Sequence, residues 1–434
     1  MPQEPPLPVP PEVTATPYAA SRVNSTFRAF RNYNYRLFYF GQMISLSGTW
    51  MQTIAQAWLV LQLTDSKVAL GTVTMLQFLP ITIFVLFAGV IADRIQKRRF
   101  IFVMQTLAMS QAIALTVLVW SGHVQLWHVY LLASVLGLAN AFEQPARQSF
   151  VVEMVGKDDL INAVALNSGL FNAARMIGPG IGGFVIATAG VKAAFMVNAV
   201  SFVPVIAALT LMDPSRLQTP PPRPRGNPIA ELREGLAYVF NTPSAVMIVI
   251  VLIFIGTFGF NFTVMLPLVD RYVLHRGPEG LGLLTGALGL GSLACALLLA
   301  GRETATRRTI FIGGACFAAL IGAIAVSQWY YVTILLLLGT GIAATAFQAT
   351  ANTSMQLTAP DHLRGRVMSV YMLLFAGSTP IGGYLTGLMA QHLGVPMAVG
   401  ICAMLSMLGV VAGLAYYLTH RSGSPSLAGA ATPA

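Results

Sequence analysis

Long apolar runs alternate with short polar punctuation along nearly the whole chain. Positions 68–92 and 100–121 contain no charged residue, and similar runs recur to position 418. Each lasts roughly 20 residues, the length that crosses a bilayer as a helix. The pattern predicts twelve spans, at about 36–61, 68–91, 99–121, 127–149, 161–188, 192–212, 244–270, 280–301, 308–326, 330–352, 365–388 and 395–418. Most connections are short, so neighbouring helices should run antiparallel. The expected fold class is an all-α integral membrane protein whose twelve transmembrane helices form two six-helix, pseudo-symmetric halves.

The longest gap separates the sixth span from the seventh. It holds "QTPPPRPRGNP", an extended Pro-rich piece, and then "NPIAELREGLAYVFN", where Asn227 can cap a helix with Pro228 in its first turn. Ile229, Leu232, Leu236 and Val239 give that helix one apolar face, suited to the membrane surface. The chain thus divides into a disordered Pro-rich tail at 1–26, a first half at 27–212, a cytoplasmic linker with a short amphipathic helix at 213–243, a second half at 244–418 and a disordered tail at 419–434. "TFRAFRNYNYR" before the first span mixes aromatics with arginines, as an interfacial segment does. The N-terminus has no short apolar stretch followed by a small-residue cleavage site, so no cleaved signal peptide is expected.

Composition agrees with the pattern. Only 9% of the residues are charged and mean hydropathy is +0.70, whereas soluble domains carry about 25% charge. With the N-terminus placed in the cytoplasm, 20 of the 25 Lys and Arg fall on the cytoplasmic side. Only Lys67, Lys192, Arg271 and Arg276 fall outside, and Arg175 lies within a span. This bias fixes both termini as cytoplasmic. The net charge of +10 is then explained by loops facing anionic lipid and needs no nucleic acid. Cys295, Cys316 and Cys402 sit in apolar runs without CxxC spacing, and the six histidines form no HExxH. No metal site and no cofactor are expected.

One stretch concentrates the scarce charge. "GVIADRIQKRRF", from Gly89 to Phe100, packs Asp93, Arg94, Lys97, Arg98 and Arg99 between two apolar runs. Orientation explains the cations but not the carboxylate. The stretch resembles the signature between the second and third helices of the major facilitator superfamily, GxLADRxGRK. Gly89, Asp93, Arg94, Lys97 and Arg98 fit it, with Lys97 in place of the usual arginine and Gln96 in place of the usual glycine. The resemblance implies a cytoplasmic latch between the halves. Its Asp would be set against the N-terminus of the eleventh span near Gly365, where a helix end favours negative charge.

Further stretches narrow the branch. "NYRLFYFGQMISLSGTWMQTIAQAWLVLQLTDS", "AFEQPARQSFVVEMV", "ALNSGLFNAARMIGPGIGG" and "LRGRVMSVYMLLFAGSTPIGG" are similar to the group containing enterobactin exporters and macrolide-efflux proteins. The halves also resemble each other, "GPGIGGFV" at Gly178 matching "STPIGGYL" at Ser378, which fits parallel repeats about a membrane-normal axis. The counterpart of the charged loop, "GRETATRRT", keeps basic residues but lacks the Asp.

"GPGIGG" also matches the dinucleotide pattern GxGxxG, but it lies within a span, with no strand before it. It reads instead as a packing and bending element resembling the GPxxGG antiporter motif. Ala174, Gly178 and Gly182 form a small-residue face, Gly183 completes the motif, and Pro179 favours a kink.

Polar residues recur on single helical faces inside three spans: Ser45, Thr49, Gln52 and Gln56 in the first, Asn140, Glu143 and Arg147 in the fourth, and Thr345, Gln348 and Asn352 in the tenth. Members of the resembled superfamily line their central cavity with those helices, so Ser45, Thr49, Gln52, Gln56, Asn140, Gln348 and Asn352 are the expected cavity residues. Arg175, mid-span, costs at least about 2.5–3.5 kcal/mol unless paired or hydrated. Glu143 is the candidate partner by depth, although Arg147 at i+4 competes for it. Ion pairing and proton coupling both remain open for Glu143, Arg147 and Arg175. Asp270, near the outer surface, is expected to be solvated and is the fallback coupling carboxylate.

These features imply a secondary transporter working by alternating access, an exporter of a small amphipathic molecule such as a siderophore or drug, exchanged for protons. An importer or uniporter of the same fold is the alternative. A channel would need neither the paired repeat nor the latch, and no reactive cluster supports an enzyme. The expected setting is a bacterial plasma (inner) membrane. The expected partners are small-molecule cargo, protons and lipid, and the chain is expected to act as a monomer.

Overall fold

The computed structural model of the chain describes residues 27–218, 228–299, 306–360 and 363–420. The expected N-terminal tail, the Pro-rich part of the linker with Asn227, residues 300–305 and the chain beyond His420 lie outside them. Apart from short turns, every regular element among the described residues is an α-helix.

The first four helices are α1 (Tyr33–Thr64), α2 (Lys67–Arg94), α3 (Lys97–Ser121) and α4 (Leu126–Val155). Their turns are specified locally. The Ser66 hydroxyl accepts from the Ala69 N–H at 3.2 Å and caps α2. Leu160–Leu211 is helical on both sides of Gly190, whose φ of 81° breaks the 52-residue run. The arms before and after Gly190 are α5 and α6. That left-handed φ is a glycine conformation, so the turn between two crossings is written in one residue. Proline was expected to bend α5, yet its dihedrals stay helical through Pro179.

After the linker come α7 (Pro228–Asn241), α8 (Pro243–Phe254), α9 (Phe262–Tyr272), α10 (Pro278–Leu299), α11 (Arg307–Val326), α12 (Tyr330–Thr358), α13 (Arg364–Leu393) and α14 (Val395–Thr419). The span expected at 244–270 is two helices joined by a wider π turn at Ile255–Gly259. Gly256 and Gly259 hold the helix weakly there. The Asn261 amide donates to the Thr257 carbonyl at 2.6 Å and satisfies a group that the broken ladder leaves free.

Among the described residues nine helical stretches are long and apolar enough to cross a membrane, with Leu160–Leu211 and Pro243–Tyr272 each taken as one. Tyr33–Thr64 and Arg364–Leu393 are as long, at 32 and 30 residues, but their polar positions lower their hydropathy.

Helix α7 does not rest its apolar face on the membrane surface. Val239 is fully buried, and Leu232 and Leu236 pack with it against the core of the C-terminal helices. The Tyr238 hydroxyl donates to the Thr358 carbonyl at 2.7 Å, and Glu234 pairs with Arg366. The linker helix therefore clamps the start of α13.

Two seams join α1–α6 to the C-terminal helices. In the first, α2 runs antiparallel to α13. The Lys67 N–H donates to Gln391 Oε1 at 2.9 Å, Gly71 packs on the backbone of Gly387, and Thr82 Oγ1 donates to the Ala376 carbonyl at 3.3 Å. The pairs 67/391, 71/387 and 82/376 share one register, which would set Gly89 opposite Ser369 and Asp93 opposite Gly365. There the helices have parted: among the described residues, a Cβ at Gly89 or Gly365 would meet no atom within 4 Å.

The second seam, α5 with α10, behaves alike. A Cβ on Gly183 would come 2.6 Å from the Pro278 carbonyl oxygen, and one on Gly289 would come 2.9 Å from Met176. Beyond Met176, Asn172 and Ser168 are exposed, and Ile161 is 87% exposed. The bundle is thus closed at the end bearing Asp65 and Gly190, and open at the end bearing the charged loops.

Candidate functional site

The polar stripe of α1 lies inside the N-terminal helices. Ser45, Gln52 and Gln56 are each at most 3% exposed. Ser45 Oγ donates to Gln105 on α3 at 3.5 Å, Gln52 Nε2 to Gln111 on α3 at 3.3 Å, and Gln56 Nε2 to Gln77 on α2 at 3.4 Å. Gln52 also accepts from the Asn198 amide on α6, and the Thr49 hydroxyl bonds back to the Ser45 carbonyl at 2.9 Å. The expectation that this stripe lines an aqueous cavity is corrected in this conformation. Amides buried among apolar helices need partners, and they find them on α2, α3 and α6.

The stripes on α4 and α12 differ. Asn140, Thr345, Gln348 and Asn352 are all partly exposed. Asn352 Oδ1 accepts from Gln356 Nε2 at 2.6 Å. Glu143 and Arg147, both 8% exposed, form an i,i+4 ion pair at 3.5 Å on α4. Glu143 therefore serves Arg147 and not Arg175.

Arg175 makes no ion pair or hydrogen bond among the described residues, and its guanidinium carbon lies 5.8 Å from the centre of the Trp50 ring. On α5, Gly178 and Gly182 touch α1 at Ser47, Trp50 and Met51, while Met176, Pro179 and Gly183 touch α10. With about 100° between successive residues, Arg175 and Ser168 project between those two strips, and Asn172 falls in line with the strip that meets α10. The opposite side carries Ile177 and Phe184, 46% and 68% exposed, where lipid would lie.

Asp270 was expected to be solvated and is instead fully buried, with neither carboxylate oxygen hydrogen-bonded among the described residues. It packs beneath Gly280, where a Cβ would come 2.6 Å from Oδ1, and no ion pair reaches it among the described residues. The turn after α9 folds over it, the Arg276 N–H donating to the Asp270 carbonyl at 3.0 Å. Beside it a cavity of about 780 Å³ opens at the closed end, lined by Trp58, Gln62, Arg276, Glu279 and Tyr330.

Two of the expected latch residues, Lys97 and Arg98, bond within the N-terminal helices. Lys97 Nζ pairs with Glu153 on α4 at 2.7 Å, and Arg98 donates to the carbonyls of Leu209 and Thr210 on α6 at 2.7 and 3.0 Å. These bonds brace the α2–α3 turn within the N-terminal helices, and the expected latch itself rests on Asp93. Arg94 is exposed, and the Asp93 side chain lies outside the described residues.

One cluster had no signal in the sequence. Asp65, in the α1–α2 turn with φ of 50°, pairs with Arg271 Nη2 at 2.9 Å and accepts from the Tyr272 hydroxyl at 2.6 Å. Lys67 Nζ lies 4.7 Å from the centre of the Tyr272 ring. With the Lys67–Gln391 bond, these contacts clasp the closed end. Their residues are separated by some 200 to 320 positions, so only the fold brings them together.

Comparison with known proteins agrees with this architecture. The family model described as transmembrane secretion effector matches residues 24–428. The chain is 29% identical to the multidrug efflux pump Tap of Mycolicibacterium fortuitum, covering 87% of this chain and 94% of that one. It is 23% identical to the staphyloferrin A transporter of Staphylococcus aureus, covering 83% and 90%. Among solved structures, the POT family transporter PepTSo superposes with a TM-score of 0.72 at 12% identity, covering 91% of this chain and 99% of that one.

Proposed function

The chain belongs to the transmembrane secretion effector family of the major facilitator superfamily, and from that premise we propose that this secondary transporter is a proton-coupled exporter of small amphipathic molecules. The observation that carries the reading is the pair of seams, α2 with α13 and α5 with α10. Each is tight at one end and parted at the other. Two bodies that meet at one end only are half of an alternating-access cycle.

The proposed layout is twelve crossings in two six-helix halves, 27–212 and 244–418, joined by the 213–243 linker. The basic ends of the helices face the cytoplasm of a bacterial cell, so the structure is open inward. The polar, partly exposed faces of α4 and α12, with Asn140, Gln348 and Asn352, line the cargo path. Closure of the open end would carry α2 along its existing register and bring Asp93 to the N-terminus of α13 at Gly365. There the latch forms against the helix end. A relative named as a multidrug efflux pump supports export.

Glu143 is the proposed proton site, with Arg147 as the counter-charge that holds it between turnovers. Everted vesicles containing the chain, assayed with a panel of amphipathic dyes and drugs, should accumulate cargo only when a proton gradient is imposed. Glu143→Gln should abolish gradient-driven accumulation while leaving exchange at zero gradient. Full pumping by Glu143→Gln would remove that residue from coupling. Accumulation indifferent to the gradient would overturn proton exchange altogether.

A further inference from the structure

Arg175 is a membrane-depth cation without a carboxylate. The acid available within the N-terminal helices, Glu143, is held by Arg147 at 3.5 Å. An unpaired guanidinium at this depth is costly and in membrane proteins marks a ligand or ion path. The Trp50 ring, 5.8 Å from the guanidinium carbon, supplies a cation–π contact on one side. Trp50 also meets Phe171 edge-on, with ring centres 5.9 Å apart, so the cation stands beside an aromatic wall. Its fork of N–H donors is left to take another acceptor.

The direction of the side chain matters as much as its charge. Arg175 projects between the strip of α5 that touches α1 and the strip that touches α10, towards the space between the two sets of helices. One and two turns nearer the open end, Asn172 and Ser168 are exposed. Asn172 and Ser168 thus mark a polar, exposed route along α5 from the open end towards Arg175. A bare cation at the end of such a route repels cationic cargo and attracts anionic cargo, strongly so where the dielectric is low. A guanidinium also matches a carboxylate, sulfonate or phosphate in a two-bond fork.

We propose that Arg175, backed by Trp50, is the cargo-binding cation of this chain, and that its substrates are amphipathic molecules carrying an anionic group. This rests on reading the chain as a transporter open at its basic end, and the two ideas are separable by experiment.

In full-length protein lacking Cys295, Cys316 and Cys402 and reconstituted in liposomes, a single Asn172→Cys thiol is labelled with an anionic sulfonatoethyl or a cationic trimethylammonioethyl methanethiosulfonate. Rates are normalised to those for free 2-mercaptoethanol. The anion should be favoured about tenfold, as expected for a unit charge one turn away at intermediate dielectric. Arg175→Gln should bring the ratio to about one and Arg175→Lys should keep most of it. Arg175→Met serves where Arg175→Gln is not recovered.

The amphipathic anion 8-anilinonaphthalene-1-sulfonate should slow labelling, whereas sodium chloride at equal ionic strength should not. A ratio indifferent to Arg175 substitution would overturn the proposal. So would a thiol inert at both Asn172→Cys and Ser168→Cys, or equal protection by chloride, which would make this a counter-ion site. Gradient-driven accumulation is measured on the same liposomes. Its failure with the charge ratio intact would count against proton-coupled export and leave the anion site standing.

Discussion

Gln52 accepts from Asn198 on α6 and donates to Gln111 on α3, so one side chain ties three helices. Hydrogen bonds between membrane helices contribute about 0.6 kcal/mol on average and up to about 1.7 kcal/mol. Gln52→Leu should therefore lower the thermal midpoint in detergent, and Asn198→Leu should add little beyond it because both act on one network. A single thiol at Gln52 should stay unreactive to a water-soluble reagent, whereas thiols at Asn140 and Gln348 should react. Reaction at all three would restore the wet reading of the first stripe. Glu143 and Arg175 teach a related lesson at this scale. Sequence offered one acid for two cations, and the i,i+4 geometry of α4 decided which cation received it.

Between elements, the clasp at the closed end is the most exposed part of the mechanism. Asp65 and Arg271 are 67% and 28% exposed at their side chains, so solvent screens their attraction and the pair contributes about 1 kcal/mol or less. Asp65→Asn keeps a residue that tolerates the left-handed turn but removes the charge. It should shift the balance of closed and open outer ends by up to about fivefold. Spin labels at Thr64 and His392, read by pulsed electron resonance, should show a larger long-distance population in Asp65→Asn. An unchanged distribution would confine the clasp to a packing role. The α5–α10 seam is stiffer, because Gly183 meets the backbone of Pro278 and Gly282 directly, and backbone cannot swing aside as a side chain can.

For the whole molecule, the shared register of α2 and α13 makes a geometric prediction. A disulfide between Gly89→Cys and Ser369→Cys should form only when the open end closes, because in this structure a Cβ at Gly89 meets nothing within 4 Å among the described residues. Oxidation should trap that pair more readily when cargo and a gradient drive turnover, and should stop transport until it is reduced. A cross-link that forms at once in resting protein would mean that the two helices are not parted there. A cross-link that never forms under turnover would mean that closure does not follow the register.

Much of this architecture was legible in the chain itself. The apolar period and length of the spans and the distribution of Lys and Arg are local properties, set by the cost of unpaired backbone and charge in lipid. They foretold an all-helical chain with helices of membrane-crossing length. Tertiary structure alone decided which surfaces face water. Ser45, Gln52 and Gln56 share a face whether that face meets a cavity or another amide-bearing helix, since helical periodicity fixes the angle of a side chain but not its neighbour. Asp270 looked like a surface residue from its position near the end of a span, and the turn at Arg276 and Gly280 buried it. The clasp of Asp65, Arg271 and Tyr272 and the Trp50–Arg175 contact join residues over 100 positions apart. Such contacts arise only when packing sets the helices side by side, and no pattern of spacing along one helix encodes them.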